Sequence, residues 1–266
     1  MPVARVTALP PLEITRFSPP RSEPLPRVVL VHGAMDRARS FRQMARLLAP
    51  LEVIAYDRRG YNDSPAAPAG FGVRGHVSDL AGLVAERPSL VFGHSIGGTY
   101  ALALALGPDR PETLIGVSVF EAPLPDTEWW GGWDADRAAV ARGDFSDGWA
   151  AGVAKTFMVQ LLGERGWESL PERTKQARLR DGRAFVTEIA QLAEGYLNLP
   201  LERLDLPLQA GVSEASPKRH LRGATRLMER LSGNYYCVIG SGHGAHLAKP
   251  AALAEAVRHF WQALAN

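Results

Sequence analysis

Six strand-sized apolar runs punctuate this chain, and amphipathic stretches fill most of the intervals. The runs are Arg27–Val31, Leu51–Tyr56, Ser89–Phe92, Leu114–Phe120, Leu206–Val212 and Tyr235–Ile239. Runs this short and this continuously apolar suit strands covered on both faces. Helical patterns fall near residues 37–49, 73–86, 96–106, 218–231 and 251–264. Strand, helix, strand, helix predicts an α/β fold, a mostly parallel sheet joined by crossover helices. The Pro-punctuated start (Pro10, Pro11, Pro19, Pro20, Pro24, Pro26) has room for one or two leading antiparallel strands.

The rhythm breaks once. From Glu121 to about Leu201 there is no buried-strand run, and the pattern is mostly helical. Five of the six tryptophans fall there: Trp129, Trp130, Trp133, Trp149 and Trp167. This predicts a core of residues 1–121 and 202–266, with a helical cap of residues 122–201 inserted after the strand that ends near Phe120. The cap aromatics serve its own small core, the wall of an apolar pocket, or both. Met35, Trp129, Trp130 and Trp133 are the candidate pocket residues. Gly131-Gly132 and Gly195 read equally as hinges and as ordinary turns.

Composition removes several function classes. Thirty Lys+Arg against 28 Asp+Glu leaves a net charge of +2, without the basic excess of a nucleic-acid binder. A single cysteine, Cys237, excludes an intrachain disulfide and a multi-cysteine metal site; inside a strand it reads as a small core residue. No charged segment followed by an apolar run opens the chain, and no apolar run is long enough to span a membrane. The expectation is a cytoplasmic protein without metal or organic cofactor, acting on a small molecule, with its oligomeric state open. Twenty-six of the 30 cations are arginine, a bias that fits a GC-rich bacterial genome.

The chemistry is carried by Gly93-His94-Ser95-Ile96-Gly97, a G-x-S-x-G run between a strand and a helix. In that context the serine sits on a tight, strained turn, and glycines two residues either side admit the neighbouring strand and helix. The Ser95 hydroxyl is then exposed at the sheet's C-terminal edge, and the Ile96 N–H points into the same space. Gly242-His243 follows the last strand and precedes the last helix, where an imidazole can reach the serine and act as general base and then acid. His246 is the competing histidine. His76, His220 and His259 lie in helical runs and read as surface or core residues, and His94 as packed between sheet and helix.

Together, His32-Gly33, Tyr56-Asp57-Arg58-Arg59-Gly60, Gly93–Gly97, and Gly242-His243 with Pro250 resemble the α/β-hydrolase superfamily in order and spacing. The resemblance covers nearly the whole chain. It implies a doubly wound sheet of about eight strands. It also implies that the loop His32-Gly33-Ala34-Met35 brings the Ala34 N–H to the nucleophile, forming an oxyanion hole with Ile96. His32 and the Asp57–Tyr61 segment take structural roles in this reading.

The acid of the triad is where this sequence departs from the family. In place of the usual G-x-x-D-P pattern stands Val212-Ser213-Glu214-Ala215-Ser216-Pro217, so Ser216 occupies the aspartate position. Either no acid operates, or the carboxylate comes from elsewhere. Glu214 lies on the same loop. Glu121 ends the strand Leu114–Phe120, a place from which some superfamily members supply their acid, and burying it without a partner would be costly. A serine nucleophile selects the target: attack on an alkyl carbon would leave a stable ether, so an acyl carbon is expected. The expected activity is hydrolysis of an ester, lactone or thioester of a small apolar or aromatic molecule through an acyl-enzyme on Ser95. The alternatives are a carbon–carbon hydrolase or lyase using the same triad, or a non-catalytic small-molecule binder.

Overall fold

The computed structural model describes residues 9–17, 26–124, 136–229, 235–238 and 240–264. Its strands are β1 (Ile14–Arg16), β2 (Arg27–Val31), β3 (Glu52–Tyr56), β4 (Ser89–His94), β5 (Leu114–Phe120), β6 (Leu208–Ser213) and β7 (Tyr235–Val238). They form one sheet in the order β1-β3-β2-β4-β5-β6-β7. Only β1 runs antiparallel, against β3; every other pair is parallel. The described sheet therefore has seven strands where about eight were expected. A single leading strand is present, and much of the Pro-punctuated start lies outside the described residues.

The two-residue period of the strands divides the core in two. Val29 and Val31 of β2, with Ile54, Val91, Val117 and Val119, face helices α2 (Val73–Ala85) and α3 (Ile96–Leu106). Val28 and Leu30, with Val53, Ala55, Leu90 and Phe92, face α1 (Arg42–Leu47) and the C-terminal helix Pro250–Leu264. Cys237 departs from the expectation. It is exposed, because β7 lies at the sheet edge and only alternate residues of it, such as Val238, turn inward.

Among the described residues, four α-helices lie between β5 and β6: α4 (Arg137–Arg142), α5 (Asp147–Glu168), α6 (Glu172–Arg180) and α7 (Gly182–Ala193). α5 is broken at Gly163, whose φ is +75°. Gly195, also at φ +75°, terminates α7: Tyr196 N–H reaches back to Gln191 C=O at 2.9 Å, closing the helix as a left-handed glycine cap does. These helices share an apolar cluster with the core: Val140, Ala154, Met158, Trp167 and Phe185 pack with Met35, Tyr61, Ile96 and Tyr100. Trp149 is half-buried against it. Trp129, Trp130, Trp133 and Gly131-Gly132 lie outside the described residues. The remaining helices are α8 (Lys218–Met228), α9 (Ala245–Ala248) and α10 (Pro250–Leu264). No helix among the described residues is long and apolar enough to cross a membrane.

Asp181, between α6 and α7, is a polar tie across this seam. It accepts the Asn62 N–H at 3.0 Å and lies 3.3 Å from Arg37 Nη2. Burial outweighs these partners and pushes its carboxyl up to about 6. A carboxyl raised in the fold above its ordinary 3.8 disfavours folding once ionised, so its cost is full above about pH 6 and vanishes as pH falls toward 4. The stability difference between Asp181→Asn and wild type should therefore move in the variant's favour by about 2–3 kcal/mol between pH 4 and pH 7. Urea melts of both proteins across that range check this; a pH-independent difference would contradict it.

Candidate active site

β4 delivers Ser95 into the first turn of α3 at φ +53° and ψ −131°, a region that side chains rarely occupy. The backbone holds it there. Ser95 N–H donates to Phe120 C=O at 2.9 Å, and Ser95 C=O accepts Gly98 N–H at 2.8 Å. A side chain at Gly93 would stand 2.5 Å from Gly97 C=O, and one at Gly97 would strike the Val31 and His32 carbonyls. Both positions are therefore closed to any residue but glycine. Ser95 itself is half-buried, while Ile96 is packed into the cluster shared with α5 and α7.

The loop after β2 emerges beside this turn, because Val31 pairs with Gly93. A side chain on Gly33 would meet Ser95 Cβ at 3.0 Å, so the loop runs in contact with the serine. Among the described residues, neither the Ala34 nor the Ile96 N–H has an acceptor. His32 is a loop anchor: its Nε2 accepts Arg58 N–H at 2.9 Å, which leaves Nδ1–H to donate to Gly33 C=O at 2.8 Å. Burial and the nearby Arg58 charge hold this imidazole neutral.

Glu121 follows β5 at φ +52°, its N–H donating to Gly211 C=O at 2.9 Å. Its carboxylate collects three donors. His243 Nδ1–H donates to Oε2 at 2.5 Å, Ser213 N–H donates to Oε1 at 2.8 Å, and Ser216 Oγ–H also donates to Oε1. The carboxylate is fully buried, whereas the His243 side chain is 25% exposed. Burial raises the Glu121 pKa, but the bonds from His243, Ser216 and the Ser213 amide outweigh it and hold the group below the usual carboxylate range. With Nδ1 committed to Glu121, His243 Nε2 carries the lone pair available to take a proton.

Glu214 does not share in this. It is exposed, and its Oε2 accepts Gly240 N–H at 2.9 Å. Ser216, read from sequence as the loss of an acid, supplies a hydroxyl donor to the Glu121 carboxylate that reaches in from the end of β5. That role follows from chemistry available in the sequence: a hydroxyl where an aspartate is expected is a donor in want of an acceptor. His220 was also missed. It lies in the first turn of α8, is buried, and stacks on the His243 ring at 4.2 Å and 15°. Its place four residues after Ser216 was the only available signal.

His94 is buried under the dyad. It stacks on Phe120, and its Nε2–H donates to His243 C=O at 2.8 Å. Burial, with His246 and His243 close by, lowers its pKa well below that of a free imidazole. His246, on α9, is buried with Nε2 3.0 Å from Asp36 Oδ2. Asp36, His94 and His246 bring one donor atom each within 4.8 Å of one another, as do Glu121, His220 and His243; these are the two groupings among the described residues able to hold a cation.

The sequence pattern of the alpha/beta hydrolase family matches residues 28–256. Lipase LipV of Mycobacterium tuberculosis is 34% identical over 108 residues, 39% of this chain and 40% of that protein. The sn-1-specific diacylglycerol lipase ABHD11 of Mus musculus is 32% identical over 102 residues, 36% of this chain and 33% of that protein. The chain thus matches less than half the length of either relative. Among solved structures, the enol-lactonase from Burkholderia xenovorans superposes with a TM-score of 0.68 at 18% identity, covering 94% of this chain and 96% of that one. An alpha/beta hydrolase from Sphaerobacter thermophilus gives 0.65 at 24% identity, again covering 94% and 96%. Likeness at these identities concerns the fold, and the family match spans β2 through the first half of α10: the chain belongs to the alpha/beta hydrolase family.

Proposed function

We propose that this protein is a serine hydrolase of carboxylesterase type (EC 3.1.1), cleaving an ester, lactone or thioester of a small apolar or aromatic molecule. One observation carries the reading: on the sheet edge where Ser95 stands at φ +53°, Nδ1 of His243 is bonded to the buried carboxylate of Glu121. That pairing turns an imidazole into an oriented general base. In this mechanism His243 Nε2 takes the Ser95 proton as Oγ attacks the acyl carbon. The carbonyl oxygen becomes an oxyanion facing the Ala34 and Ile96 amides. His243 returns the proton to the leaving alcohol or thiol, and the acyl-enzyme remains. Water then enters, loses its proton to His243, and releases the acid and free Ser95. Glu121 stays ionised throughout and balances the imidazolium.

The apolar or aromatic character of the substrate is carried from the sequence reading; of its pocket residues, Met35 is buried in the seam, packed with Ile96, Met158 and Phe185. The names of the relatives, two lipases and a structural neighbour called an enol-lactonase, belong to the same class of acyl-bond cleavage.

Purified protein should turn over p-nitrophenyl esters in a series from acetate to decanoate, with an optimum that gauges the pocket. Ser95→Ala should abolish turnover while keeping the wild-type melting profile. Equal rates for the two proteins would remove ester hydrolysis and leave carbon–carbon cleavage, a lyase or a binding role. Glu121→Gln should lower kcat by roughly 10³- to 10⁴-fold, the scale on which the orienting acid acts, whereas Glu214→Gln should leave kcat near the wild-type value. The reverse ranking would assign the acid to Glu214.

The pH profile carries a separate expectation. Glu121 is held below the usual carboxylate range, so it remains charged while imidazoles titrate. The acid limb of kcat/KM should fall with a slope of one proton, from a single group other than Glu121. A slope of two would mean that Glu121 titrates alongside it.

A further inference from the structure

We propose that Glu188, on cap helix α7, is a positioning residue for the oxyanion hole: acting through Arg58, it fixes the direction of the Ala34 N–H. This rests on the hydrolase reading above, which gives that amide its task.

The Arg58 guanidinium is held as a rigid plane. Arg58 and Glu188 are both fully buried and pair through two parallel bonds. Arg58 Nη1 donates to Glu188 Oε2, and Nη2 donates to Oε1 at 3.2 Å. Tyr100 O–H donates to Oε2 at 2.6 Å, and Tyr61 O–H donates to Oε1. Each carboxylate oxygen thus has two donors, and His76 Nε2 stands 3.5 Å away. The guanidinium is also bracketed by aromatic rings, its central carbon 4.5 Å from the Tyr61 centroid and 5.1 Å from that of Tyr100. A planar fork held along one edge has little freedom along the other.

That other edge grips the oxyanion loop. Arg58 Nη2 donates to Gly33 C=O at 3.0 Å, and Nε donates to His32 C=O at 3.1 Å. In a trans peptide the C=O of one residue and the N–H of the next point in opposite directions within one plane. Turning the Gly33 carbonyl toward Arg58 therefore turns the Ala34 N–H away from it, where it has no acceptor among the described residues. His32 Nδ1–H supports the same carbonyl at 2.8 Å. A second cap residue acts on the next stretch of loop, since Arg178 of α6 donates to Met35 C=O. The donor for the oxyanion is aimed by a contact that crosses from the cap.

Two variants separate positioning from mere structure. Glu188→Gln keeps the shape but leaves Arg58 without its counter-charge. The double variant Arg58→Met/Glu188→Leu replaces the buried pair by apolar groups, which restores packing without unpaired charge. The readout is the rate at which a fluorophosphonate labels Ser95: the Ser95 Oγ–P bond forms, the serine proton passes to His243, fluoride leaves, and the phosphoryl oxygen occupies the oxyanion hole. This readout needs no knowledge of the natural substrate. Both variants should label about 10- to 100-fold more slowly than wild type, less than the 10²- to 10³-fold expected for outright loss of a donor. The double variant, whose Tyr61 and Tyr100 hydroxyls lose their acceptor, should melt below the wild type yet remain folded at the assay temperature. With the best p-nitrophenyl ester, kcat should fall by a similar factor while KM holds. Wild-type labelling rates in a folded double variant would overturn the proposal and leave the pair a structural clasp. If wild type is labelled no more than Ser95→Ala, the nucleophile assignment itself fails, and the proposal with it.

Discussion

The Glu121 carboxylate is fully buried yet stays ionised, because three donors converge on it and one of them is an imidazole that needs its charge. An isolated buried carboxylate would take up a proton instead. Its charge gives His243 a fixed tautomer and ring orientation, with Nε2 as the acceptor. The surroundings serve that arrangement. β5 and β6 are neighbours with Phe120 opposite Gly211, so Glu121 and the Ser213–Ser216 turn leave the sheet side by side. β7 lies next to β6 and carries the histidine loop to the same edge. A glutamate from β5 reaches the place that an aspartate after β6 would fill, and Ser216 occupies the vacated position as a donor.

A second buried carboxylate, Glu188, is satisfied in a comparable way by one guanidinium and two phenols. The two groups divide the work. In the proposed mechanism Glu121 orients the proton carrier from the sheet, and Glu188 acts from the cap on the carbonyl of Gly33 through Arg58. Pairs like Arg58–Glu188 contribute little net stability against a well-packed apolar alternative. Its place at a seam touching the His32-Gly33 loop fits a role in geometry better than one in stability. It also implies that this part of the cap is not a freely moving lid.

Much of the fold was legible because strands buried on both faces leave continuous apolar runs, as Arg27–Val31 and Leu114–Phe120 do. The turn at Ser95 was legible for a different reason: its glycines form one short local motif, although the carbonyls that close Gly97 belong to Val31 and His32. What escaped the sequence depends on approach between distant segments. Arg58 and Glu188 are 130 residues apart, and nothing local to either names the other. His220 looked like one more helical histidine until α8 set it against His243. Cys237 was misplaced because an apolar run does not say which strand lies at the sheet edge. The acid was legible only as a choice between two glutamates. The sheet order decides which of them meets the imidazole, and that order is not written in any one motif.

In the proposed mechanism Glu121 works through His243 and in no other way. A double-mutant cycle on kcat/KM with the best p-nitrophenyl ester tests it most directly, using Glu121→Gln, His243→Ala and the pair together. Residues that act as a unit are grossly non-additive. The account predicts that Glu121→Gln costs almost nothing further once His243 is alanine. Two losses that multiply in the double variant would contradict it and would mean that Glu121 contributes to catalysis independently of the histidine.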